Sequence, residues 1–268
     1  MFQTVLVVWL CGLAPGAVPA EEGWTTLLAT DSLNGWTVEG TDKSPFDVHG
    51  GVLRNTGQSN YPTWLRSEKI YENFILRFEY MPSQFAETVL YLHAPRWGRN
   101  AEVGMAIRFA SHTRPSGILV GLTAEGPMIL SNEWRRVEVV MDWPMLRVSV
   151  NEQVVTDVNC EKDDRLRYRF RQGYIGIGDI GYPIEFRNIR IKPLASKETW
   201  TPMFDGRTFD GWTKTGDADW QIRDGAILAT KGEGYLVSKK EYDDFELMTY
   251  VRTTTCANSG IFFGWKEE

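Results

Sequence analysis

An all-β sandwich or jelly roll is the fold that this sequence predicts. Three observations carry the prediction. Short aromatic and β-branched stretches recur at regular spacing, turn-forming residues separate them, and no stretch keeps helical periodicity for more than a turn or two. Residues 74–80, 136–141 and 146–150 read as strands, and 184–191 alternate apolar with polar residues and close the domain. Asp142-Trp143-Pro144 and Asn151-Glu152-Gln153 supply turns between antiparallel neighbours.

The 268 residues are 43% hydrophobic and 24% charged, a globular composition that excludes disordered and fibrous classes. Aromatic residues reach 13%, which suits a sandwich core or a sugar-stacking surface. The net charge of −6 argues against nucleic acid as a partner.

Residues 1–20 read as an export signal. Val5 to Ala14 is mostly apolar, and Ala17-Val18-Pro19-Ala20 places small residues before Glu21. The first residues carry no Lys or Arg, but Pro15 and Pro19 interrupt the run short of the roughly 20 residues that a spanning helix needs. A secreted or periplasmic protein with no membrane span after cleavage is expected. Leu10 stands before Cys11 where a lipoprotein requires a small residue. Cys160 and Cys256 fall far apart and offer neither a disulfide framework nor a zinc spacing, so both read as small core residues.

The chain repeats itself. Trp24-Thr25-Thr26-Leu27-Leu28 returns as Trp200-Thr201-Pro202-Met203-Phe204, and Leu33-Asn34-Gly35-Trp36 as Phe209-Asp210-Gly211-Trp212. Phe46 to Leu53 answers to Trp220 to Ile227, and Trp64-Leu65-Arg66-Ser67 to Tyr235-Leu236-Val237-Ser238. The expected organisation is a complete domain over 21–194, a linker at 195–199 and the opening part of a second copy over 200–268. Strands that stop partway leave edges without partners, so the sequence is expected to be a fragment; the other reading is that the partial copy docks on something else.

Taken in order, these landmarks resemble the 3-keto-disaccharide hydrolase domain family. Phe204-Asp205-Gly206, Phe209-Asp210-Gly211-Trp212 and Trp220-Gln221-Ile222-Arg223-Asp224-Gly225 carry its opening, and Asn258-Ser259-Gly260-Ile261-Phe262-Phe263 resembles its central strand. In the first copy, Asn132-Glu133-Trp134 and Gly173-Tyr174-Ile175-Gly176-Ile177 followed by 184–191 resemble later elements. The resemblance implies a concanavalin A-like jelly roll that acts on glycosides oxidised at C3. A ketone there acidifies the C2 proton; a base removes it, and the C1 substituent leaves by elimination. Water then adds back. Such a site needs a carboxylate or His as base, with a divalent metal or hydrogen-bond donors facing the C3 oxygen.

The first copy departs from the family pattern. It aligns Glu87-Thr88-Val89 with Asn258-Ser259-Gly260, and in Ala101-Glu102-Val103-Gly104 only the Glu matches. Glu102 is therefore the candidate base or metal ligand, against the alternative of a solvated strand carboxylate. His93 follows the apolar run 89–92 and is the second catalytic candidate, while His112 lies in a polar loop; a structural role is the alternative for each. Trp97, flanked by Arg96 and Arg99, reads as a sugar platform with Arg99 beside it. Asn258 and Ser259 are family-matched substrate contacts. No metal ligands are assigned from the sequence. Arg165, Arg167, Arg169 and Arg171 alternate with Leu166, Tyr168 and Phe170, so a strand there would align four guanidinium groups for an acidic glycan, or form a solvated face. The leading expectation is an exported hydrolase or lyase of 3-keto-glycosides. The alternatives are a non-catalytic carbohydrate-binding module and a structural one.

Overall fold

Alternation at period two places every second side chain of a strand on one face, and Phe74–Pro82 buries Phe74, Leu76, Phe78 and Tyr80 in that way. The computed structural model describes residues 22–57, 63–96, 100–111, 115–121, 129–197, 200–255 and 257–264. Residues 1–21, with Cys11 among them, and Trp97, Arg99, His112 and Cys256 lie outside them. The chain divides between residues 198 and 199 into two compact units.

The first unit opens with β1 (Thr25–Thr26), β2 (Trp36–Glu39), β3 (Phe46–His49) and β4 (Val52–Asn55). The long strands β5 (Trp64–Tyr71), β6 (Phe74–Pro82) and β7 (Glu87–Ala94) follow. A single helical turn, α1 (Asn100–Val103), leads into β8 (Met105–Ala110) and β9 (Ile118–Leu119). Then come β10 (Arg135–Asp142), β11 (Met145–Val150), β12 (Gln153–Asn159), β13 (Gly173–Gly178) and β14 (Ile184–Pro193). An eight-stranded sheet runs β12-β11-β10-β6-β14-β4-β3, with β1 on β14, and a six-stranded sheet runs β2-β5-β13-β7-β8-β9. All pairings are antiparallel.

Face to face, the two sheets form a jelly-roll sandwich. Its core joins Leu76, Phe78, Val139, Met141 and Phe186 of one sheet to Trp36, Leu65, Leu90, Ile107 and Ile177 of the other. Phe78 meets Phe109 edge-on across the interface, with ring centroids 5.6 Å apart. Cys160 is buried, and burial pushes its thiol up to about 12; it is a packing residue, as expected. The regular alternation expected of 184–191 is broken by a bulge. Ile184 and Phe186 face inward, the register shifts between Arg187 and Arg190, Asn188 takes φ 54°, and Ile189 and Ile191 resume the inward set.

The outer face of the eight-stranded sheet is a lattice of cations and indoles. Trp24 lies between Arg77 and Arg190, whose guanidinium carbons stand 4.6 and 4.9 Å from its ring centre. Arg187 covers Trp134 at 4.0 Å and pairs with Glu79 at 2.6 Å. Backbone and side-chain bonds tie the chain to this unit through Lys197. Asn73 Nδ2 donates to the Ala195 carbonyl, the Ser196 hydroxyl to Glu72 (2.6 Å), and Lys197 pairs with Asp142 (2.6 Å).

The run 165–171 is not a strand. Turns replace it, with the amides of Leu166 and Arg167 both donating to the Asp163 carbonyl. The Asp163 carboxylate accepts from the Arg165 amide and side chain, and this local bonding competes with an extended conformation.

The second unit carries β15 (Trp212–Lys214), β16 (Trp220–Arg223), β17 (Ala226–Ala229) and β18 (Leu236–Ser238), paired as β15-β18 and β16-β17. Some of its hydrogen bonds repeat those at the opening of the first. The Trp36 indole N–H donates to the Leu27 carbonyl at 2.6 Å, and that of Trp212 to the Met203 carbonyl at 2.7 Å. The Ser67 hydroxyl donates to the Lys69 carbonyl, and that of Ser238 to the Lys240 carbonyl. The expected strand at 258–263 does not form: these residues are exposed and outside any ladder. In the first unit β7 is held between β13 and β8, and the described residues of the second unit hold no counterpart of either.

One close approach decides how the six-stranded sheet is decorated. A Cβ added at Gly176 of β13 would stand 2.3 and 2.5 Å from Cε3 and Cζ3 of Trp64, so the indole lies on the glycine. Gly176→Ala should therefore displace the ring and cost about 1–3 kcal/mol, read as a lower urea midpoint with an unchanged slope.

Candidate functional site

Register places two rows of side chains on the outer face of the six-stranded sheet. Thr37, Arg66, Gly176, Tyr91 and Ala106 stand opposite one another across β2, β5, β13, β7 and β8, and so do Glu39, Trp64, Gly178, Val89 and Arg108. Trp64 and Tyr91 meet edge to face at 5.7 Å, each about one-twentieth exposed, and pack with Ala94, Ala106, Ala101 and Tyr174.

Beside this floor lies a buried cation. Arg66 is 6% exposed, and its Nε donates to Glu39 Oε1 at 2.9 Å and its Nη1 to the Ser67 carbonyl. Its guanidinium also covers the Tyr174 ring at 4.3 Å. Arg96 follows the end of β7, yet its Nε comes within 3.8 Å of the same Glu39 oxygen, although β13 and β5 stand between β7 and β2. The chain leaving β7 therefore folds back across the outer face. Arg108 pairs with Glu87 at 2.9 Å farther along. A carboxylate between two guanidinium groups, with aromatic rings at its side, is the donor–acceptor mixture that polyhydroxylated ligands need.

A model of the 3-keto-alpha-glucoside-1,2-lyase-like domain matches residues 23–192 and again residues 199–268. The chain belongs to this family. Lyase-like domains of this kind are carbohydrate-related, and solved structures share the sandwich. Two crystal structures from Parabacteroides distasonis, provisionally described as glycosyl hydrolases, each match at 18% identity. One has a TM-score of 0.55 and aligns 64% of this chain with 99% of its own; the other has 0.54, with 65% and 95%. At such identities the likeness is one of fold. No curated protein matches the sequence.

Within the lyase-like domain of the first unit, Glu102 lies on α1 and is exposed, not on a strand. Its neighbour Ala101 packs on the Trp64–Tyr91 cluster, which sets Glu102 at the rim of the outer face.

His93 does not reach a concave site. Alternation would put it on the face of Tyr91, but β7 bulges: Ala94 pairs with Tyr174 and Tyr91 with Gly176, so Leu92 and His93 together oppose Ile175. His93 takes φ 51° and turns inward, fully buried, with its ring edge-on to Phe74 at 6.0 Å. Nε2 lies 2.7 Å from the Glu72 carbonyl oxygen and Nδ1 2.9 Å from that of Phe170. Both nitrogens are engaged with main chain, so His93 is a structural residue and not an available base. A Cβ at Gly173 would sit 2.4 Å from the His93 carbonyl carbon, so β13 passes the bulge only with glycine there.

Trp97 and Arg99 follow Arg96 but lie outside the described residues. Asn258 and Ser259 belong to the second unit, where both are exposed. Sequence reasoning missed Glu39, Arg66 and Tyr174. The available signal was Arg66 itself, a cation in a strand whose repeat counterpart is Val237. No three His, Cys, Asp or Glu side chains converge as a metal set among the described residues, so the divalent metal allowed for has no donor set there.

Burial depresses the His93 pKa below its ordinary 6.5, outweighing the two carbonyls, which favour the cation. As pH falls below 6.5 the unfolded chain binds its proton first, so the stability contributed by the neutral ring is present above that pH and lost below it. Urea unfolding between about pH 7 and pH 5 should show this loss, and His93→Gln should flatten it while lowering stability at neutral pH.

Proposed function

We propose that the first unit binds a glycoside oxidised to the ketone at C3 on the outer face of its six-stranded sheet and cleaves it by elimination. The observation that carries this reading is the Glu39–Arg66–Tyr174 assembly beside Trp64 and Tyr91, set in a lyase-like family. Glu102 at the rim takes the C2 proton. The electron pair moves to the C3 oxygen, which the Arg96 guanidinium faces; its return forms the C1–C2 double bond and breaks the bond from C1 to the aglycone oxygen, which takes the proton back from Glu102. Water then adds across that double bond, its hydroxyl to C1 and its proton to C2, to complete a net hydrolysis. Trp97 and Arg99, continuing from Arg96, contact the sugar. Arg66 keeps Glu39 oriented to accept hydroxyl protons. The second unit is a tandem copy in which Asn258 and Ser259 are the corresponding sugar contacts, and residues 1–20 direct export.

A second reading is binding without turnover. It is favoured by the sealing of His93, both of whose ring nitrogens are engaged with main-chain carbonyls.

Release of a chromogenic aglycone from a 3-keto-glucoside, measured with the full chain in chelator and with divalent metal, separates the two. Turnover is expected, and Glu102→Gln should lower it at least about 100-fold with little change in substrate affinity. Affinity without release would establish the binding reading. Neither would remove both.

A further inference from the structure

The turn segment 163–171 is fastened to the helical turn that carries Glu102. The Phe170 amide donates to the Val103 carbonyl at 3.0 Å and Arg169 Nη1 to that of Ala101 at 3.3 Å. The Phe170 carbonyl meets His93 Nδ1 at 2.9 Å, and Arg165 Nη1 donates to the Gly121 carbonyl at 2.6 Å. From this anchored loop Tyr168 projects with 83% of its surface exposed. Its ring is not loose: the Arg167 guanidinium stands 5.2 Å from its centre, and Arg167 pairs in turn with Asp164. A large exposed ring held by a cation is a stacking platform more than a core residue that failed to bury.

The charge around that ring is also specific. Arg165 is committed to Asp163 through two hydrogen bonds, at 2.9 and 2.6 Å, and these bonds hold the Asp163 carboxyl down to about 2. Arg169 makes its hydrogen bonds to main-chain carbonyls, at Arg165 and Ala101, which use N–H groups without cancelling charge. Four arginines against two aspartates leave the segment positive in a chain whose net charge is −6.

We propose that segment 163–171 is a second sugar subsite beside α1, selective for an acidic sugar residue whose ring stacks on Tyr168 and whose anionic group meets the charge that Arg169 keeps, together with the Arg167 N–H groups that Asp164 does not engage. The inference rests on the reading of the outer face as a sugar site. It adds to that reading the class of neighbouring residue in the glycan: one bearing a carboxylate or sulfate.

Calorimetric titration of the full chain with disaccharides matched in linkage, one neutral, one glucuronate-ended and one sulfated, tests it. At low salt at least one acidic probe should bind about fivefold tighter or better than the neutral one. The gap should narrow above about 0.1 M salt, where screening reaches about 10 Å. A gap for glucuronate alone would assign carboxylate recognition, and a gap for both would assign anion recognition in general. Arg167→Gln and Tyr168→Ala, both at exposed positions, should each abolish the gap. Equal affinity for all three probes would overturn the proposal, and so would a gap that neither variant changes. Absence of aglycone release with the gap intact would count against elimination chemistry and leave the acidic subsite supported.

Discussion

Where β7 passes β13, two residues must fit opposite one, and much of the surrounding architecture follows from how that mismatch is resolved. The bulge at Leu92–His93 turns an imidazole into the sandwich, where its two nitrogens meet carbonyls from the β5–β6 turn and from the 163–171 loop. Three separate segments thereby meet at one side chain. The same bend redirects the chain leaving β7, so that Arg96 returns over the outer face to Glu39. Bulges beside binding sites commonly re-aim side chains in this manner. Here the residue that is re-aimed inward braces the surface, and the residues after it decorate that surface.

Arg66 raises a different energetic question. Removing a guanidinium from water is costly, and an ion pair at 2.9 Å recovers that cost only with good geometry and further hydrogen bonds. Well-packed apolar side chains in place of a buried ion pair are often at least as stabilising, and the corresponding position of the second unit is Val237. The pair therefore represents stability forgone for a defined arrangement of charge. The Arg66 guanidinium covers the Tyr174 ring, and Trp64, opposite Glu39 in register, is seated on Gly176.

The sandwich itself was legible in the sequence because period-two alternation survives in β6, β10 and β11, and because turn residues mark their ends. Family membership was legible in the Asp-Gly-Trp and Gly-x-x-Gly landmarks. What escaped was local. Nothing in the run 89–94 announces that His93 adopts a positive φ, since the bulge is set by a strand some eighty residues later in the chain. The arginine run alternates like a strand, yet Asp163 supplies nearer acceptors and wins. Glu102 matches a family position, but its place on a helical turn depends on how α1 packs against Ala94 and Ala106. The outer-face ion pair was invisible because Glu39, Arg66 and Arg96 come from three elements that only the tertiary fold brings together.

β14 is the last strand of the first unit, and it lies between β6 and β4 while also receiving β1. A ribosome emitting this chain thus delivers the beginning, the middle and most of the core before the strand that joins them. Until Pro193 has emerged, the edges of β6 and β4 stand open, with apolar faces that other chains could pair with or cover. Assembly is consequently governed by non-local closure, with the slow kinetics that such topology imposes. The vulnerable interval for this protein is the time between the synthesis of β6 and the arrival of β14, when a holding factor would have the most to protect.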